Sequence, residues 1–252
     1  MQKKSIVDRY GDNGRYFREQ YREDGLKAVD AAQAEDTMKG KIVYESFRPR
    51  PQERYLLIKN RFDRFLGGSI LDVGSRDATS QKILGPGCQL IDKNNPNLPP
   101  FDWEKEALPY PDNSFDSVVC LDVLEHINEL HRSFEDLLRV SRKHVIISLP
   151  NCWRKMFKQM LNGRGTQASY GLPPEAPMDR HRWFFNPEEI EEFLVYQSVC
   201  GRIKFRIVDR AYHIPLATTA HRIIYPLVMH VLPRHYTKNL LVNTAFYVLE
   251  KI

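Results

Sequence analysis

The sequence predicts an α/β protein with an open, doubly wound sheet, and two stretches carry that prediction. Ser69–Thr79 reads SILDVGSRDAT: a buried strand (Ile70, Leu71, Val73) that ends in an acid and a glycine. Leu108–Ile127 reads LPYPDNSFDSVVCLDVLEHI. A turn cluster (Pro109, Pro111, Asp112, Asn113, Ser114) feeds an apolar β-rich run of Phe115, Val118, Val119 and Cys120, which passes into a helix-like pattern from Asp122. Both strands carry polar residues at their carboxyl ends, where open α/β sheets bind ligands.

The elements follow in order. Residues 1–66 are predicted to form an N-terminal helical extension, with helices near Arg15–Gln33 and Gln52–Phe65. Arg48-Pro49-Arg50-Pro51 separates them, and Pro51 suits a first helical position. The main domain, 67–252, has predicted strands at Ser69–Val73, Cys88–Ile91, Ser117–Leu121 and His144–Leu149. A helix over Glu129–Val140 carries Leu130, Phe134, Leu137 and Leu138 on one face. The link from Asp92 to Asp102 holds three prolines and is too short for a crossover helix. A long connection, 150–185, reads as a lid over an acceptor pocket. Asn186-Pro187-Glu188-Glu189 then opens a helix with a cap, a proline and two acids. Lys204–Arg210 and Thr244–Leu249 are the last strands. A helical insertion, 211–243, lies between them, with Ile223, Ile224, Leu227, Val228, Val231 and Leu232 at helical spacing.

Composition excludes more than it selects. A hydrophobic content of 42% suffices for a core, and a net charge of +5 permits a phosphate-bearing partner without requiring one. Cys88, Cys120, Cys152 and Cys200 form no CxxC pair and no zinc spacing with histidine, so no metal and a reducing compartment are expected. The start lacks the apolar run of a secretory leader, and no stretch is apolar for long enough to span a bilayer. A cytoplasmic protein is expected. The insertion helix packs on its own core in the plain reading; in the sharper one it touches a membrane surface or a second copy.

These segments resemble the class I S-adenosylmethionine-dependent methyltransferases. LPYPDNSFDSVVCLDVLEHI is close to the pattern of the small-molecule branch, and LDVGSRDAT stands where that family has its glycine-rich first motif. The resemblance covers roughly Ile70–Leu149, and extends loosely through His181–Leu194 and Ala245–Lys251. It implies a Rossmann-like seven-stranded sheet with an antiparallel last strand, and S-adenosyl-L-methionine as cofactor. The implied cofactor residues are Asp72, Gly74, Ser75, Asp92, Lys93, Asp102, Trp103 and Leu121. Asp92 falls twenty residues after Asp72, the separation at which an acid takes ribose hydroxyls. Asp102, or Glu104, would read the adenine amine beside the flat face of Trp103. Arg76 and Ala78 replace glycines common in the family, so Arg76 is expected to point away from the cationic ligand.

Methyl transfer to a hydroxyl calls for an acceptor held in line and a base. Glu125 and His126 follow the central strand, close to the expected cofactor face. Asp179 and His181, in MDRHRWFF, are predicted as an orienter and base pair facing the acceptor. The basic, aromatic connection suits a sugar or phosphate group, and the missing crossover helix resembles a subset linked to glycan synthesis. O-methylation of a sugar, a glycan or a related small molecule is the expected function. The alternatives are a lipid or quinone methyltransferase, and a non-catalytic binding subunit of the same fold. No signature of nucleic-acid base methylation is present.

Overall fold

A computed structural model describes residues 21–34, 41–45, 51–163, 169–177, 179–215, 223, 224, 227, 231, 232 and 234–252. The expected helix start at Arg15 and most of the expected insertion helix lie outside the described residues. In chain order the elements are α1 (Glu23–Ala34), β1 (Lys41–Glu45), α2 (Pro51–Phe62), β2 (Ile70–Val73), α3 (Thr79–Leu84), β3 (Gln89–Ile91), β4 (Phe115–Leu121) and α4 (Leu130–Val140). They continue with β5 (Ser141–Pro150), α5 (Cys152–Leu161), α6 (Pro187–Cys200), β6 (Phe205–Pro215), α7 (Arg234–Leu241) and β7 (Thr244–Lys251).

The strands form one mixed sheet in the order β1-β6-β7-β5-β4-β2-β3. β3, β2, β4 and β5 are parallel, and β7 lies antiparallel between β5 and β6. The central strands are apolar on both faces, as a doubly covered sheet requires. Alternate residues divide between two cores. Leu71, Val73, Val118, Cys120, Val145 and Ile147 join Phe134, Leu137 and Leu138 of α4 and Ile190 and Leu194 of α6. Ile70, Val119, Ile146, Phe246 and Val248 meet Tyr55, Leu57, Ile58 and Phe62 of α2. The segment before residue 67 is therefore part of the layering, since α2 covers one face of the sheet.

Three expectations are corrected. The N-terminal segment is not wholly helical: β1 pairs in parallel with β6, from Lys41 beside Ala211 to Glu45 beside Pro215. The 150–185 connection opens with the helix α5, whose first turn is capped by the Asn151 side chain accepting from the Arg154 N–H. Finally, β6 continues through Pro215, so residues 211–215 are strand where the insertion was expected to begin. The link 92–102, described throughout, holds no helix. Instead Asp136 of α4 ties down the following loop, accepting from the Trp103 indole at 3.1 Å and the Leu108 N–H at 2.6 Å. The cap of α6 forms as read, with Asn186 and Glu189 bonding reciprocally. No helix among the described residues is long and apolar enough to cross a membrane.

Candidate functional site

The chain leaves β2 for β3 on one side and returns to β4 on the other, which creates a switch point between β2 and β4. A cleft of about 1040 Å³ opens there, at the carboxyl ends of β2, β3 and β4. Val73 and Gly74, Ile91 and Asp92, and Leu121 and Asp122 supply its floor.

Gly74 has φ of +87°, and a Cβ there would stand 2.2 Å from Val123 Cγ2. Its N–H donates to the Ile91 carbonyl at 2.8 Å. The glycine is thus demanded by the protein's own β4 turn as well as by any ligand. Asp92 is buried at the cleft edge, where its Oδ1 accepts from the Asn94 N–H at 2.5 Å. Lys93 reaches Asp102 at 3.0 Å and Lys105 reaches it at 3.2 Å, and the Lys93 bond leads in holding that carboxyl below its usual range. Trp103 belongs to the core and shows the cleft only part of its ring.

Two of the expected cofactor residues do not line the cleft. Asp72 is 0% exposed and bonded to the Tyr55 hydroxyl at 2.7 Å. Its Oδ1 makes no hydrogen bond among the described residues, and burial raises its pKa to about 6. A carboxylate at the middle of a four-residue strand whose every residue is buried has no route to the surface. Ser75 is turned toward its own loop, donating to the Asp77 carbonyl at 2.7 Å.

Beyond β4 the chain turns through Asp122, a non-glycine residue with φ of +52°. Such a conformation costs energy and collects at functional sites. Asp122 is held by Arg54 of α2 and by the Ser148 hydroxyl at 2.5 Å. A 3₁₀ turn, Leu124–His126, follows. Glu125 is 1% exposed, and its Oε2 makes no hydrogen bond among the described residues. Burial first, then the Asp122 charge, pushes its carboxyl well above the usual range.

The segment 179–183 folds over this turn. The Arg182 N–H donates to the Glu125 carbonyl at 2.7 Å, and the Trp183 indole to the Ile127 carbonyl at 2.7 Å. His126 and His181 are brought edge to face, with ring centroids 4.6 Å apart. The expected pair is corrected here: Asp179 bonds to His126 Nδ1 at 2.8 Å, not to His181. The partner of His181 is the Tyr170 hydroxyl, 2.8 Å from its Nδ1. Burial, then the nearby His126, lowers the His181 pKa to about 4, so its ring is neutral at pH 7. Arg76 lines the cleft instead of turning from it, although it is 73% exposed and paired with Asp179 at 3.3 Å.

Gly74, Asp92, Lys93, Asp102, Trp103, Leu121, His126, Asp179 and His181 thus line one cleft. Sequence reasoning missed Arg54, Tyr55 and Asp122, and it placed Glu125 near the cofactor face without giving it a role. Only Glu125 and Asp122 carried a signal, through their place in the turn after the central strand.

Residues 91–149, 59 of the 252, match the family model of a methyltransferase domain. No curated protein matches the chain. Among solved structures, the YcgJ protein of Bacillus subtilis is 10% identical with a TM-score of 0.45, covering 79% of this chain and 97% of that one. An S-adenosylmethionine-dependent methyltransferase of Mesorhizobium loti is 13% identical with a TM-score of 0.43, covering 74% and 92%. Magnesium protoporphyrin IX methyltransferase of Synechocystis PCC 6803, with bound SAH, is 12% identical with a TM-score of 0.42, covering 80% and 83%.

Proposed function

We propose that the chain is an S-adenosylmethionine-dependent methyltransferase that O-methylates a sugar, a glycan or a related biosynthetic intermediate. One observation carries the reading: the cleft at the switch point, ringed by Gly74, Asp92 and Leu121, is built largely from the 91–149 segment that matches a methyltransferase domain. When bound, the cofactor supplies a methyl group activated by a cationic sulfonium.

The residues present fit that group in most respects. Gly74, at a positive φ that favours glycine and without a Cβ, keeps side-chain atoms out of the turn between β2 and the ligand space. Asp92, fixed by the Asn94 N–H, presents a carboxylate at the end of β3 for ribose hydroxyls. Asp179 offsets the Arg76 charge that would otherwise face a cation. The fit is weakest at Asp102, which must release a lysine before it can take an adenine amine.

The acceptor lies against Glu125, His126, Asp179 and His181, with Arg182 on the same wall to meet a phosphate. These side chains orient the acceptor hydroxyl and draw off its proton. A lipid-linked acceptor is a second reading. Met160 and Leu161 at the end of α5 are 64% and 70% exposed, and Ile223, Leu227 and Val231 are also exposed. Peripheral contact with a membrane belongs to this reading.

The test is transfer of a tritiated methyl group to a panel of sugar nucleotides, lipid-linked glycans and quinols. Label on a sugar hydroxyl is the expected outcome. Label appearing only on quinols would overturn the glycan assignment.

A further inference from the structure

Glu125 is hard to explain as a structural residue. It is 1% exposed, and one carboxylate oxygen makes no hydrogen bond among the described residues. A buried carboxylate without full satisfaction costs several kcal/mol, so such groups take up a proton, are paired or coordinate metals. Its other oxygen, Oε1, stands 3.8 Å from His126 Nε2. One ligand atom from each of Glu125, His126 and His181 can be chosen so that all lie within 4.8 Å of one another.

We propose that Glu125, His126 and His181 bind a divalent transition-metal cation such as Zn²⁺, Co²⁺ or Mn²⁺. Two imidazoles and a carboxylate suit these ions better than Ca²⁺ or Mg²⁺. Ligand atoms about 2.1 Å from a tetrahedral cation are roughly 3.4 Å apart, so the cluster draws in by about 1.4 Å or less on binding.

The surroundings of the histidines are those of metal ligands. Asp179 accepts from His126 Nδ1, leaving Nε2, 3.8 Å from Glu125 Oε1, as the donor atom. The Tyr170 hydroxyl has one proton, and Cys152 Sγ and the Trp183 carbonyl both stand as its acceptors; with the proton given to either, His181 Nδ1–H donates to the hydroxyl and Nε2 keeps its lone pair. Outer partners of this kind fix the tautomer and the ring orientation of ligating histidines. The bonds from Arg182 and Trp183 hold the two segments together.

Three protein ligands leave positions open, and all three residues line the cleft. Resting on the methyltransferase reading, those positions take oxygen atoms of an acceptor with adjacent hydroxyls. The histidines then act as ligands in place of a base, and the cation lowers the pKa of the bound hydroxyl so that water in the open cleft takes its proton.

The experiment uses the full chain stripped with a chelator and titrated with Co²⁺ alone, followed by calorimetry and visible absorption. One Co²⁺ per chain with a d–d band is expected. Glu125→Gln and His181→Gln should abolish the band, and Asp179→Asn should weaken binding by about 10- to 100-fold. Thermal unfolding and far-ultraviolet circular dichroism confirm that each variant is folded. Asp92→Ala, at the cofactor end, should leave Co²⁺ affinity unchanged, so failure of the cofactor reading does not mimic failure of this one. Absence of Co²⁺ binding in the wild type, or equal binding by wild type and folded Glu125→Gln and His181→Gln, overturns the site.

Discussion

Replacing Gly74 by alanine tests whether the turn after β2 is shaped by the chain itself. The residue has φ of +87°, and its new Cβ would stand 2.2 Å from Val123 Cγ2. A left-handed conformation costs an L-residue about 1–2 kcal/mol. Contacts this short must open by more than 1 Å, and overpacking of that kind costs roughly 1–3 kcal/mol. Gly74→Ala should therefore lose about 2–5 kcal/mol, or of the order of 10 °C in Tm for a chain of this size. Val123→Ala removes both methyl contacts and leaves only the Val123 Cβ, at 3.3 Å, but it does not remove the backbone strain. Placed on that background, Gly74→Ala should cost only the conformational part, about 1–2 kcal/mol. Urea denaturation of the four proteins gives the cycle. If Gly74→Ala costs the same with and without Val123, the contact with the β4 turn is not what demands glycine.

Other consequences can be measured as directly. His181→Ala should lower turnover by about 10²- to 10⁴-fold while leaving cofactor affinity nearly unchanged; full turnover would make His181 structural. Tyr55→Phe removes the hydrogen bond to buried Asp72 and should cost about 1–3 kcal/mol in denaturation; no loss would show that the bond contributes nothing. His213, on β6, is buried beside Arg154, and burial first lowers its pKa to about 4. Between pH 6.5 and 4 the unfolded chain then binds the extra proton, so stability falls as pH falls through that window, by at most about 3 kcal/mol. His213→Gln should flatten that slope in urea titrations at pH 7, 6, 5 and 4.5, and an unchanged slope would exclude His213 as its source.

The legible parts of the fold are those in which local chemistry decides. Ile70–Val73 and Phe115–Leu121 are apolar on both faces and bounded by turn residues, and Asn186-Pro187 satisfies the first turn of α6 within four residues. The three prolines before Phe101 exclude a helix whatever surrounds them. β1 was not legible, because KIVYE becomes a strand by pairing with β6, some 170 residues later. α5 was hidden by its basic, aromatic composition, which reads as a loop; only Asn151 signalled the cap. At the site, the acid and glycine at the end of β2 marked the right end of the sheet. Which acid reaches solvent depends on how deep β2 lies, and that buried Asp72. Asp179 stands two residues from His181, yet it bonds His126, fifty-three residues away, since folding of 179–183 over the 3₁₀ turn sets the partner. Arg54 and Tyr55 reach the cleft from α2, and no spacing in the sequence links that helix to β4.

The central claim is that the cleft between β2 and β4 binds S-adenosylmethionine through Asp92. Titration calorimetry of the purified chain measures it most directly. One cofactor per chain is the predicted result, with Asp92→Ala weakening it by about 1.5–3 kcal/mol, the worth of charge-assisted hydrogen bonds, or roughly 10- to 150-fold. No binding to the wild type, or equal affinity in the variant, would contradict the account.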